Sequence, residues 1–149
     1  MGIYSGEDVR IKLATALSTA ILATGMLSSA PAASAASYPV STFDVTLGNT
    51  YTRGTITWYN RSVTLTGEHK SVDQNYCRGT TAFALDAEGH EMDRQYSYVD
   101  DNACGTSKSF SFSLVVSSPG PPIVRVCLDD GALQPPITYL KCVRYGRPS

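Results

Sequence analysis

The segment TRGTITWYNRSVTLTG, Thr52 to Gly67, alternates with a period of two on either side of a polar break. Thr52, Gly54, Ile56 and Trp58 fall on one face, and Tyr51, Arg53, Thr55, Thr57 and Tyr59 on the other. Asn60-Arg61 supplies a turn. Val63 and Leu65 then resume the apolar face, and Ser62, Thr64 and Thr66 the polar one. Successive side chains of a strand point to opposite faces, so the pattern describes a hairpin with one side on a core and one in water. The phasing puts Trp58 inside, where its indole N–H needs an acceptor, and Tyr59 outside.

The same signal recurs along the chain. Phe43, Val45 and Leu47 alternate before Gly48-Asn49, and Thr81, Phe83 and Leu85 before the Glu88-Gly89-His90 turn, with a return over 91–99. From Lys108 to Val116 the residues Phe110, Phe112, Leu114 and Val116 point inward and serines outward. Ser117-Ser-Pro-Gly-Pro-Pro122 ends that strand, because proline cannot donate to a ladder. Residues 123–128 and 137–145 form a last pair around Asp129-Asp130-Gly131 and Pro135-Pro136. Residues 68–75 and 100–103 read as loops. About eight short strands without a helical period predict an all-β fold, an antiparallel β-sandwich of Ig-like or jelly-roll-like type.

The first 35 residues read as an address. Arg10 and Lys12, diluted by Glu7 and Asp8, precede an uncharged, largely apolar run from Leu13 to Leu27. Small residues follow, with Ala33-Ser34-Ala35 giving the A-x-A pattern of a signal-peptidase site. The apolar run is shorter than the about 20 residues a spanning helix needs. The expectation is therefore a signal peptide over 1–35, a short extension over 36–42 and one domain over 43–149, secreted and free of the membrane after cleavage. A domain of that size buries roughly 65% of its unfolded surface, enough for a thin core.

The charges of the leader cancel, so the remaining chain keeps the net charge of −1 of the whole. No run of like charge appears, which argues against nucleic acid as a partner. Cys77, Cys104, Cys127 and Cys142 all follow the leader. An even count in a small exported chain implies disulfides, and no paired spacing suits zinc. Antiparallel strands bring together residues symmetric about their turn. The midpoint of Cys77 and Cys104 falls close to the Gly89-His90 turn and that of Cys127 and Cys142 inside the second connection, so the expected bridges are Cys77–Cys104 and Cys127–Cys142.

Little in the sequence points to chemistry. His69 and His90 are its only histidines; both read as loop or turn residues, outside any catalytic motif. Asp100-Asp101-Asn102 and Asp129-Asp130 offer oxygens of the kind calcium takes, but the EF-hand spacing is absent and these residues also favour turns. Asn60-Arg61-Ser62 matches a glycosylation sequon at a turn whose polarity needs no such explanation. No catalytic residue, metal or cofactor is expected. Two aromatic faces are better candidates: Tyr51, Arg53 and Tyr59 on one strand, and Arg94, Tyr96 and Tyr98 on another. Flat rings meet the apolar faces of sugars, while guanidinium and hydroxyl groups bond their oxygens.

The run Gly54-Thr-Ile-Thr-Trp-Tyr-Asn-Arg-Ser-Val63, followed by Cys104-Gly-Thr-Ser-Lys-Ser-Phe-Ser-Phe-Ser-Leu114 and Val124-Arg-Val-Cys-Leu-Asp129, resembles small secreted β-sandwich proteins of actinobacteria. The function of that family is not established. The resemblance implies a compartment and a β fold, and it carries over no functional residue. The sequence thus leads to a non-enzymatic extracellular module binding carbohydrate or another surface. The alternative is an inhibitor of a secreted protease or amylase presenting the proline-rich 117–122 loop, since a rigid loop lowers the entropy cost of binding. An extracellular hydrolase comes third.

Overall fold

The computed structural model describes residues 37–117, 119–132 and 136–149. The leader expected over 1–35 lies outside the described residues. The chain from Val40 onward forms β1 (Val40–Leu47), β2 (Thr50–Trp58), β3 (Ser62–Lys70), β4 (Gly79–Leu85), β5 (Glu91–Tyr96), β6 (Ser107–Val115), β7 (Ile123–Asp129) and β8 (Tyr139–Gly146). A 3₁₀ turn, Val99–Asp101, interrupts the run. The first strand thus begins inside the segment expected as an extension.

Two four-stranded antiparallel sheets result, in the orders β1-β2-β3-β6 and β5-β4-β7-β8. Tight turns keep β1, β2 and β3 in one sheet. Gly48-Asn49 is a two-residue hairpin turn, and Gly48 has the positive φ of +61° that such turns require. Taking β2, β3 and β6 as A, B and E, and β4, β5, β7 and β8 as C, C′, F and G, gives the order of an immunoglobulin-type sandwich. β1 is added outside β2. Of the two sandwich types expected, the strand order is Ig-like.

The quoted hairpin pairs as its alternation requires. Ile56 faces Leu65 and Trp58 faces Val63, all four fully buried, while Thr55 faces Thr66 and Thr57 faces Thr64 on the wet side. With Phe43, Val45, Phe110 and Leu114 they pack on Ala82, Ala84, Val124, Val126 and Leu128 of the second sheet. Trp58 donates its indole N–H to Ser41 Oγ at 2.8 Å, which supplies the acceptor its burial demands.

β4 is buried along its whole length, so its two faces serve two clusters. Ala82 and Ala84 enter the main core, and Phe83 and Leu85 form an outer cluster with Cys127. The open sides of the sandwich are latched by side chains. Tyr145 of β8 accepts from Asp44 N–H and donates to Asp44 O, each at 3.0 Å, and Lys141 donates to Thr46 O at 2.8 Å. On the other side Asp93 of β5 accepts from Val115 N–H at 2.8 Å.

Both expected disulfides are formed. Cys127 and Cys142 are direct partners in the β7–β8 ladder. Cys77–Cys104 sits beside a two-way backbone bridge between Arg78 and Ala103, at 2.8 and 2.9 Å. At one level of the first sheet Gly54 and Gly67 are opposed. A Cβ on Gly54 would lie 2.1 Å from Thr66 O, and one on Gly67 2.2 Å from Arg53 O, so the backbones close on each other where only hydrogen fits.

Candidate ligand-binding site

The first aromatic face satisfies itself. Tyr51 donates its hydroxyl to Glu68 Oε1 at 2.8 Å, and Arg53 Nε donates to the same oxygen at 3.3 Å. The Tyr51 hydroxyl, and after it Arg53, hold Glu68 below the usual carboxylate range. The Arg53 guanidinium carbon sits 3.6 Å over the Tyr51 ring, a cation–π contact that covers one face of the ring. Tyr59 packs instead on Tyr38, with ring centroids 4.5 Å apart. A groove of about 600 Å³ does cross this sheet at the Gly54–Gly67 pinch, with Asp44, Arg53, Glu68 and Ser109 among its lining residues. Its walls are wide apart and two of its charges are already paired.

The second face forms a pocket. Arg94 and Tyr96 of β5, Pro136 and Ile137 before β8, and Tyr139 at the start of β8 enclose about 340 Å³ on the outer side of the second sheet. Burial of Phe83 beneath it fixes the pocket's geometry. The Tyr139 ring stands edge-on to Phe83, centroids 5.4 Å apart, and Arg94 Nη1 donates to the Tyr139 hydroxyl at 3.4 Å. That hydroxyl, with Glu91 next, raises the already high pKa of Arg94 and keeps it charged. Tyr96 and Tyr139 remain 48% and 37% exposed, so both rings are accessible, and that of Tyr139 is held by Phe83 and Arg94. Tyr98 follows the end of β5 and lines no part of this pocket; at 74% exposure it projects into solvent.

The two proposed faces therefore separate. Arg94 and Tyr96 are brought together with a third aromatic, Tyr139, which the sequence did not single out. Its only local signal is an aromatic residue just after the Pro135-Pro136 pair.

His69 corrects the sequence reading. β3 runs on to Lys70, and His69 is an inward residue with no solvent exposure, stacked on Phe110 at 5.2 Å. Its Nε2 meets the Asp101 carbonyl and its Nδ1 lies 2.9 Å from Thr80 Oγ1. A carbonyl only accepts, so Nε2 carries the proton. Thr80 then donates to Nδ1 and accepts from Thr52 Oγ1 at 2.7 Å. Burial pushes the imidazole pKa down. Both nitrogens are thus spent on holding the 3₁₀ turn to the sheet. His90, by contrast, is an exposed turn residue with its Nδ1 3.0 Å from Asp86 Oδ2. With Glu88 these two bring their ligand atoms within 4.8 Å of one another.

The acidic loops considered for calcium also fold inward. Asp129 is 3% exposed; it accepts from Thr81 Oγ1 at 2.6 Å and from Gly131 N–H at 2.9 Å, and burial raises its pKa. Asn102 donates to Gly131 O at 2.8 Å, so the 100–102 and 129–131 segments are tied to each other.

Two disulfides are the mark of an oxidising environment. Among the described residues no helix is long and apolar enough to cross a membrane. Compared with protein-family models, with curated proteins and with solved structures, the chain gives no match.

Proposed function

We propose that this chain is a secreted carbohydrate-binding module, non-enzymatic, whose ligand enters the pocket of Arg94, Tyr96 and Tyr139. The observation that carries this reading is the pocket itself. Two accessible tyrosines and a guanidinium converge on about 340 Å³, with Pro136 and Ile137 as apolar walls. Rings take the C–H faces of a sugar and the guanidinium takes its oxygens. The leader pattern, the disulfides and the resemblance to secreted actinobacterial proteins support an extracellular setting.

The inhibitor reading draws less support, because the proline-rich loop does not stand clear of the body. Pro121 is buried, and Gly120 lies so close to the Tyr59 and Asn60 carbonyls that a Cβ would come within 2.9 Å of each. Arg147 N–H ties Pro122 O down at 2.9 Å.

Retention on insoluble and soluble polysaccharides tests the proposal. Tyr139→Ala should lower affinity about tenfold, the order of a lost aromatic platform. Tyr51→Ala should leave it unchanged, since Arg53 already covers one face of that ring. Undiminished retention by Tyr139→Ala and Tyr96→Ala would remove the pocket from consideration.

A further inference from the structure

The charge of the second sheet's outer face is not that of the whole protein. Arg94 pairs with Phe83, Phe83 with Arg125, and Arg125 with Arg144, so three arginines and one phenylalanine occupy a single level across all four strands. Direct partners in an antiparallel ladder share a face. Tyr96, Thr81, Cys127 and Cys142 make the adjoining level. The strand carboxylates on this face are Glu91, paired with Arg94 at 3.5 Å, and Asp129, buried and bonded to Thr81; Asp86 and Glu88 sit on the β4–β5 turn, whose Gly89 approaches Arg144, and Asp86 is bonded to His90. Among the described residues neither Arg125 nor Arg144 has an ion pair. The first sheet's outer face is neutral by comparison, with Asp44 and Glu68 set against Arg53 and Lys70 among threonines and serines.

Arg125 is also held ready. Its guanidinium carbon lies 4.0 Å over the Phe83 ring, and its Nε is out of water without a hydrogen-bond partner. Stacking fixes the plane of the fork, which removes rotamer freedom before any anion arrives. Neighbouring strands lie about 4.8 Å apart, so the row presents cationic forks at one- and two-strand intervals along a line that leaves the tyrosine pocket. A polymer with anionic groups repeating along its length meets such a line at several points.

Resting on the pocket reading above, we propose that the ligand is an acidic polysaccharide. Its sugar rings are taken by Tyr96 and Tyr139, and its carboxylates or sulfate esters by Arg94, Arg125 and Arg144. Arginine matches both groups through paired N–H donors. Nucleic acid is a poorer fit to a chain of net charge −1 and pI about 6.1.

Isothermal titration of the intact disulfide-bonded protein at low ionic strength can separate the possibilities. The probes are dextran sulfate against dextran, polygalacturonate against neutral galactan, and oligothymidylate. Each acidic polysaccharide should bind at least about tenfold tighter than its neutral counterpart, and the difference should shrink with added salt. Arg144→Gln, a change at an exposed side chain with no hydrogen bond among the described residues, should weaken the acidic ligands about tenfold and leave the neutral ones alone. Arg125→Lys keeps the charge and loses the fork, and should weaken them in the same direction; a thermal melt checks its fold. Equal binding of acidic and neutral polymers, still weakened by Tyr139→Ala, would overturn the acidic specificity and leave the pocket. Arginine-dependent binding untouched by Tyr139→Ala would overturn the pocket and with it this proposal. Oligothymidylate bound as tightly as the polysaccharides would show a general polyanion surface and would also overturn it.

Discussion

Acidification from pH 7 toward pH 5 should weaken this domain through His69. The imidazole is fully buried between Thr80 and the Asp101 carbonyl, and the proton on Nε2 leaves Nδ1 as an acceptor. Protonating Nδ1 would force the Thr80 hydroxyl to turn its hydrogen toward Thr52, whose own hydroxyl then loses its acceptor. Burial disfavours the cation most. The Asp101 carbonyl and the charges of Asp129 and Asp101 favour it and Lys108 opposes it, with a net shift downward. In the unfolded chain the same histidine takes its proton near pH 6.5. Below that pH, and until the lower folded pKa is reached, the unfolded state binds more protons, so stability falls as pH falls. The limiting slope is about 1.4 kcal/mol per pH unit. With urea m-values of about 1–3 kcal/mol/M for a small domain, that moves the midpoint by about 0.5–1.4 M per pH unit. Asp129 acts with the opposite sign. Its raised folded pKa makes the native state the better proton binder above the ordinary carboxylate range, so protonating it relieves a buried charge. Urea titrations followed by Trp58 fluorescence, from pH 7.5 to 5, should be run on the native chain and on His69→Gln, which keeps one donor and one acceptor. The difference between the two curves isolates the imidazole. Parallel curves across pH 6.5 to 5.5 would refute the reasoning.

Two further changes address the scaffold. Gly54→Ala sets a Cβ 2.1 Å from Thr66 O, so β2 and β3 must part; a loss of about 1–3 kcal/mol in chemical denaturation is expected, and an unchanged midpoint would contradict the close approach. Replacing Cys127 and Cys142 together by alanine opens a loop of sequence separation 15 and should cost about 3 kcal/mol, read as a lower thermal midpoint.

Alternation made the first sheet legible: Phe43, Val45, Ile56, Trp58, Val63 and Leu65 meet in the core, whereas Leu47, read on the same face, is 46% exposed beside the Gly48-Asn49 turn, past the edge of the second sheet's cover. It failed at Gly79–Leu85, where both faces are buried and period two carries no information. It also failed at His69, because residues 68–75 read as a polar loop. The partners that make an inward histidine tolerable, Thr80 and the Asp101 carbonyl, are distant in sequence. The Cys127–Cys142 bridge follows its ladder directly. Cys77–Cys104 does not: continued unbroken, the β4–β5 register would set Cys77 opposite Asp100, and the turn at Val99–Asp101 takes up the extra residues. The pocket was half visible. Arg94 and Tyr96 share a strand, whereas Tyr139 comes from β8, across β4 and β7, and meets them through its contact with Phe83 and its hydroxyl on Arg94.

The position of the Cys127–Cys142 bridge also bears on how firmly the second sheet's face is held. β8 is an edge strand, paired only with β7, yet it carries Tyr139 and Arg144 on either side of Cys142. Without the bond that edge is held by one ladder, by the packing of Leu140, Val143 and Tyr145, and by the Tyr145 and Lys141 latches to β1, and short edge strands fray first. Oxidation pins the strand at its middle and sets tyrosine and arginine at once. The covalent bond that only an oxidising environment supplies therefore also steadies the strand that carries both residues.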